Sequence, residues 1–178
     1  MTTILRRSIA YQNDYLAVVA KQVDLSPPRG IETFWSIRTG EYVAALVVTE
    51  DGRIPLVRVY RPALERWSLE LPSGGIEPGE TPQEAMRREL LEEVGCEAPG
   101  LTLAGRLHTD SGRMETTQWA FYADDARVVQ AAPVGDEPLE IVWSDREELR
   151  ELIRSGELAM AAHLGVIAAA MFAGGAEL

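Results

Sequence analysis

Three carboxylates crowd one short stretch of this chain: Glu89, Glu92 and Glu93, in the run Arg88-Glu89-Leu90-Leu91-Glu92-Glu93-Val94. On an α-helix, residues three and four apart share a face, so these side chains cluster. Their mutual repulsion destabilises the helix unless positive charge offsets it. Arg87 and Arg88 offset part of it, and a divalent ion would do more. Hard oxygen donors with no histidine or thiol nearby favour magnesium or manganese over zinc. The same pattern also suits a solvated acidic helix face, and helix and charge pattern alone leave both readings open.

The elements that must position these groups are written on either side. Upstream lies Ser73-Gly74-Gly75-Ile76-Glu77-Pro78-Gly79-Glu80, a tight turn whose glycines let bare backbone approach a ligand. Thr81 then reads as an N-cap, with Pro82 at the first helical position and Glu84 completing a capping box. The helix is expected to run to about Val94, with Gly95 ending it in a left-handed conformation. Met86, Leu90 and Val94, with Ala85, make an adjacent apolar stripe that can bury against a sheet.

The stretch from Gly74 to Cys96 resembles the Nudix box, the signature of hydrolases that act on nucleoside diphosphates linked to another moiety. The family pattern begins with Gly, then Glu, and closes with Arg-Glu-aliphatic-any-Glu-Glu-any-Gly-aliphatic. Here it reads Gly74, Glu80 and Arg88-Glu89-Leu90-Leu91-Glu92-Glu93-Val94-Gly95-Cys96. Every fixed identity is present at the family spacing. Cys96 stands where an aliphatic residue is usual, and cysteine packs as a small hydrophobe. The resemblance implies metal held by Glu89, Glu92 and Glu93, the Ser73 backbone carbonyl as a further ligand and Glu80 in support. It implies that Arg88 orients the glutamates by ion pairing, and that magnesium, with manganese as a substitute, is the cofactor. A general base comes either from a box glutamate or from a later loop. In Gly135-Asp136-Glu137-Pro138 the favoured candidates are Glu137 and then Asp136, with Glu115 as an outsider.

The residues before the box, Tyr60-Arg61-Pro62 and Trp67-Ser68-Leu69-Glu70-Leu71-Pro72-Ser73-Gly74, resemble the ADP-ribose and ADP-sugar pyrophosphatase branch. On that likeness the substrate-binding candidates are Arg61, Trp67, Glu70, Gly74, Gly75, Arg113 and Glu115. Arg61 is expected to meet phosphate or the terminal sugar. Trp67, Trp35 or Phe34 is expected to stack on adenine. The branch often carries a proline in the loop past the box, where this chain has Ser111-Gly112. Other ADP-sugars, GDP-sugars, dinucleoside polyphosphates, NADH and oxidised nucleotides therefore stay open as substrates. A non-catalytic nucleotide sensor is the competing reading from another class; it would show a degraded box or an added DNA-binding domain. The expected partner is a nucleoside diphosphate-linked small molecule, and by analogy with the branch the chain is a homodimer.

Composition sets outer bounds. The 178 residues suffice for one good core, with 46% hydrophobic and 25% charged residues. A net charge of −11 argues against a nucleic-acid footprint or an anionic membrane surface. One cysteine excludes an internal disulfide and suits a reducing cytoplasm. The first residues carry no apolar signal core, and the most apolar run, Ala159 to Ala173, is broken by His163 and Gly165. It is shorter than a membrane span of about 20 residues. His108 reads as a loop-edge residue and His163 as a polar position on the last helix; neither has a metal-ligand partner in sequence.

The remaining chain supplies the frame. Strands are expected at Ile4 to Tyr11, Leu16 to Val23 and Ile31 to Arg38, then Tyr42 to Val48 and Ile54 to Tyr60 as a hairpin. Further strands are expected at Trp67 to Leu71, Leu101 to Leu107, Thr116 to Ala123 and Leu139 to Trp143. Asp124 to Glu137 reads as a loop with a strand-like patch at Val128-Val129. Ser144 is expected to cap a helix to about Arg154, and a last helix to cover Ala159 to Ala173. The fold class is α/β (α+β): by resemblance, a Nudix α/β/α sandwich with a mixed central sheet plus a small N-terminal antiparallel β sheet. Residues 1–40 would form that β region, with dimerisation as its role, and residues 41–178 the hydrolase domain.

Overall fold

A computed structural model describes residues 2–130, 138–173 and 175–177. The chain divides into two compact units, residues 1–41 with 108–117, and residues 42–107 with 118–178.

In the first unit, β1 (Thr3–Gln12), β2 (Leu16–Asp24) and β3 (Ile31–Thr39) form an antiparallel sheet in that order. Asn13 shapes the first turn by accepting the Tyr15 and Leu16 N–H groups on its side-chain oxygen. β2 buries Val19 and Val23, whereas β1 and β3 expose Ile9, Tyr11, Ile31, Phe34 and Trp35. The 108–117 segment joins this unit through backbone bonds between Ile37 and its neighbours Arg113 and Glu115.

The second unit is organised by β4 (Tyr42–Thr49). Its residues are apolar almost without break because both faces are covered. Val43, Ala45 and Val47 pack into one core, and Ala44, Leu46 and Val48 into another. The chain continues through β5 (Ile54–Arg61), β6 (Arg66–Glu70), β7 (Ser73–Gly75), α1 (Pro82–Val94), β8 (Cys96–Glu97), β9 (Thr102–His108), β10 (Thr117–Val128), β11 (Leu139–Ser144), α2 (Arg146–Ser155) and α3 (Ala161–Ala173). One sheet runs β7-β4-β10-β8, with β9 also on β10, and the other runs β11-β5-β6. The first of these is mixed: β10 lies parallel to β4, while β7 and β8 pair antiparallel. Ala85, Met86, Leu90 and Val94 of α1 share a core with one face of β4. Leu149 of α2 and Val166, Ile167 and Ala170 of α3 share a core with the other. This is the expected α/β/α arrangement. No helix among the described residues is long and apolar enough to cross a membrane.

Several local expectations need correction. β4 and β5 do not form a hairpin ladder: β4 pairs with β10 along one edge and with β7 at the start of the other, and β5 pairs with β11 and β6. Ser73–Gly75 is a short strand against β4 rather than only a turn. β10 passes through Asp124 and Asp125 by a register shift, resumes pairing with β4 at Ala126 and then pairs with β8 at Arg127 and Val128. Asp125 tolerates this because its carboxylate accepts the Gly100 N–H. Asp145, not Ser144, caps α2, in a capping box with Glu148. Ser144 instead ends β11 opposite Ile54 and donates its hydroxyl to the Ile54 carbonyl. The last helix starts at Ala161.

Truncating the α1 stripe should be costly, because Leu90 is completely buried. Leu90→Ala is expected to lower unfolding free energy by about 2–5 kcal/mol, measured by urea denaturation. A loss below about 1 kcal/mol would show that the helix is not held by this stripe.

Candidate active site

Helix α1 begins as the sequence dictates. Thr81 and Glu84 form the capping box, Pro82 sits in the first turn, and Gly95 ends the helix at φ 66°. With one face committed to the core, Arg88, Glu89, Glu92 and Glu93 turn to another side, where they line a cavity of about 500 Å³. Tyr42, Ser73, Gly74 and Gly75 line it as well, with Arg61 and His163.

Arg88 is the hub of this wall. Its Nε and Nη2 donate to the two Glu80 carboxylate oxygens at 2.8 and 3.0 Å. Nη1 donates to Glu89 at 2.7 Å and to Glu92 at 3.1 Å, and Nη2 also reaches the Gly75 carbonyl at 2.9 Å. Hydrogen bonds from Arg88, joined by a backbone bond, hold the Glu80 carboxyl down at about 2. The three carboxylates in turn raise the Arg88 guanidinium, which stays charged throughout. Glu93 is held separately: its Oε2 accepts the Ser73 N–H at 2.8 Å. A Cβ at Gly74 would overlap the Glu89 carboxylate and force it out of its present position.

A second polar pair stands at the edge of the same cavity. Arg61 gives two parallel hydrogen bonds to Glu70, Nε to Oε1 at 2.9 Å and Nη2 to Oε2 at 2.7 Å. Glu70 is only 1% exposed. Burial pushes its carboxyl up, but the Arg61 hydrogen bonds and charge prevail and hold it below its ordinary value. The next residue, Leu71, donates its N–H to His163 Nδ1 at 3.1 Å. Burial pushes the His163 imidazole down to about 4, so it is neutral at physiological pH with its proton on Nε2. The sequence reading took His163 as a mere polar position on the helix; its burial beside Leu71 and Glu70 was not signalled by any local motif.

The other sequence candidates lie as follows. Trp67 is 57% exposed on β6 and meets Tyr60 edge-to-face at 5.9 Å. Trp35 and Phe34 are exposed on β3 of the first unit. Arg113 and Glu115 also belong to that unit. Arg113 pairs with Asp110, and Glu115 is clasped by Lys21, Ser36 and Arg38, which hold its carboxyl at about 2. Asp136 and Glu137 lie outside the described residues. Cys96 is buried, its thiol raised to about 11, and it packs in the α1 core.

The NUDIX domain model matches residues 38–164. The chain belongs to the Nudix family. Among curated relatives, an ADP-ribose pyrophosphatase of Bacillus subtilis is 34% identical over 118 residues, 65% of this chain and 64% of that protein. The match thus spans just under two thirds of that relative. A CMP-5'-(N-acetyl-N-hydroxy-3-aminopropyl)phosphonate hydrolase of Streptomyces rubellomurinus is 26% identical over 150 residues, 83% of this chain and 71% of that one. Among solved structures, an ADP compounds hydrolase superposes with a TM-score of 0.79 at 25% identity, covering 96% of this chain and 92% of its own.

Nudix hydrolases generally use a divalent metal, and the donor chemistry of this Nudix box fits one. Glu80, Glu89, Glu92 and Glu93 offer hard oxygens against the single guanidinium of Arg88, leaving local negative charge in excess. Among the described residues, no three acidic, histidine or cysteine side chains already form a closed ligand group. Arg88 spans three of the carboxylates instead.

His163 generates a pH test. Its folded value near 4 lies below the 6.5 of a free imidazole, so between these the unfolded chain binds more protons. Its contribution is therefore complete above pH 6.5 and is lost as pH falls toward 4. Urea midpoints are expected to drop between pH 6.5 and 5, a window above the carboxylate range, and His163→Gln should flatten that slope. An equally steep slope in the variant would assign it to other groups.

Proposed function

We propose that this chain is a magnesium-dependent hydrolase that cleaves the diphosphate linkage of a nucleoside diphosphate conjugate. ADP-ribose or another ADP-sugar is the favoured substrate, and the products are a nucleoside monophosphate and a phosphorylated moiety. The observation that carries this reading is the complete box folded around one cavity, with Arg88 tying Glu80, Glu89 and Glu92 together and Ser73 N–H holding Glu93. The likeness to an ADP-ribose pyrophosphatase and to an ADP compounds hydrolase supports the adenosine half of the assignment. The likeness to a hydrolase of a CMP conjugate keeps other nucleotides as a second reading.

In this chemistry a water oxygen attacks one phosphorus and the bridging P–O bond breaks, with the bridging oxygen leaving on the other phosphate. A divalent ion held by Glu89, Glu92, Glu93 and the Ser73 carbonyl, with Glu80 behind them, would neutralise the diphosphate and make water a better nucleophile. The protein's own groups set the stage. Arg88 fixes the carboxylate geometry, Gly74 and Gly75 admit the phosphates close to backbone, and Arg61 presents a cation that Glu70 has pre-oriented. The water's proton goes to a carboxylate: a box glutamate, or Glu137 or Asp136, with Glu115 the outlying choice.

The working form is read as a cytoplasmic homodimer. The exposed apolar side chains of the first unit, Ile9, Tyr11, Ile31, Phe34 and Trp35 among them, support a second copy of this chain as their cover. Arg113 would serve on the substrate side of such an assembly.

Purified protein with magnesium and ADP-ribose or ADP-glucose should release AMP. Glu93→Gln is expected to lower kcat by about a thousandfold or more while leaving the thermal unfolding temperature close to wild type, and chelation should abolish turnover reversibly. Near-normal turnover by Glu93→Gln would remove that carboxylate from the metal set. Turnover of CMP- or GDP-linked conjugates alone would keep the reaction and reject the adenosine assignment.

A further inference from the structure

Beside the box cavity lies a second one of about 570 Å³, between the β5–β6 hairpin and the segment joining α2 to α3. The two share Arg61 and Met160 in their walls, so Arg61 borders both. Its guanidinium is fixed there by the buried Glu70.

The wall of the second cavity is chemically distinctive in a chain of net charge −11. It gathers Arg58, Arg61 and Arg66 with the indole of Trp67, against the two carboxylates of Glu70 and Glu157. Arg66 has no carboxylate partner among the described residues. Arg58 Nε is buried without a hydrogen bond among them; its ion-pair partner Glu140 lies 3.5 Å away, beyond good hydrogen-bond distance. Trp67 keeps more than half its surface open while Tyr60 braces its ring at an interplanar angle of 73°. A braced indole is a stacking platform for a ring, and guanidinium donors bind hydroxyl pairs or anions. The volume suits a sugar-sized group.

We propose that this second cavity selects the moiety joined to the diphosphate, and that it takes a ring-bearing, hydroxyl-rich group such as a pentose or hexose. The ring lies on Trp67, its hydroxyls accept from Arg58 and Arg66, and Arg61 sits at the diphosphate end. The assignment rests on the reading of the chain as a nucleoside diphosphate conjugate hydrolase, but it concerns a different cavity from the box.

Equilibrium binding tests it without requiring turnover. Titration calorimetry, with calcium replacing magnesium, compares ADP-ribose with the β-methyl ester of ADP, which keeps the nucleotide and diphosphate but lacks the sugar. Wild type should bind ADP-ribose about tenfold more tightly than the methyl ester. Trp67→Leu and Arg66→Gln, both surface changes that leave the core intact, should bring that ratio close to one. A wild-type ratio near one, or a ratio unchanged in both variants, overturns the proposal. Failure of the functional reading looks different: no magnesium-dependent release of AMP from either compound, whatever the binding ratio.

Discussion

One guanidinium holds the charged face of α1 in order. Without Arg88, Glu80, Glu89 and Glu92 would face one another across a single turn and the neighbouring loop with nothing between them. Like charges at such separations destabilise a helix and scatter their side chains. With Arg88 in place, each carboxylate has a fixed direction, and the Gly75 carbonyl ties the loop to the same group. The cost is conformational: an arginine loses rotamer freedom when held by several acceptors, and the return is a cavity wall whose geometry is set in advance. Neighbouring features serve this arrangement. The capping box fixes where the helix begins, the buried stripe fixes its rotation, and Gly74 leaves room for the Glu89 carboxylate.

Charge is distributed so that the site stays electron-rich but not self-repelling. Glu70 shows the same logic on a smaller scale. It is a buried carboxylate whose charge burial disfavours, yet Arg61 favours that charge through two parallel hydrogen bonds, and the net effect is to hold its carboxyl below the ordinary value. His163 beside it contributes no charge, and its acceptor nitrogen secures the Leu71 backbone at the corner between β6 and β7. A protonated imidazole there would lose its acceptor nitrogen; the Glu70 carboxylate favours its charge and the Arg61 guanidinium opposes it, and burial outweighs both. Burial is thus the means by which the fold keeps one of its cavity-lining groups neutral.

What the sequence disclosed, and what it hid, divides along the range of the interactions. The cap at Thr81, the stop at Gly95 and the apolar stripe of α1 depend on neighbours within a turn, and all were legible. The fold class followed from the box and the strand pattern, and the superposition on an ADP compounds hydrolase agrees with it. The cap of α2 was displaced by one residue, because Ser144 and Asp145 both qualify locally and only the pairing of Ser144 with Ile54 decides between them. The continuation of β10 past Asp125 was hidden because its justification, the Gly100 N–H, lies on a distant segment. His163 was hidden for the same reason: Leu71 is remote in sequence, and an isolated histidine on an apolar helix looks alike whether it faces water or the core.

The missed hairpin is the most instructive of these. Glu50-Asp51-Gly52 is a turn, and two apolar runs on either side of a turn ordinarily pair. Here β10 lies along one edge of β4 and β7 covers the start of the other, at Tyr42 to Ala44, while β5 takes β11 and β6 as its partners. The two strands leave their shared turn into different sheets. Tyr42 and Ser73 to Gly75 belong to one sheet, Val59, Arg61 and Leu139 to the other, and the box cavity takes its lining from both. A continuous β4–β5 ladder would have joined these edges by hydrogen bonds and left no cleft between them. The parting of the strands is therefore what creates space beside the carboxylates of α1. The partners that β5 takes instead, β6 and β11, include one more than seventy residues downstream of the turn, which no window of sequence around the turn contains.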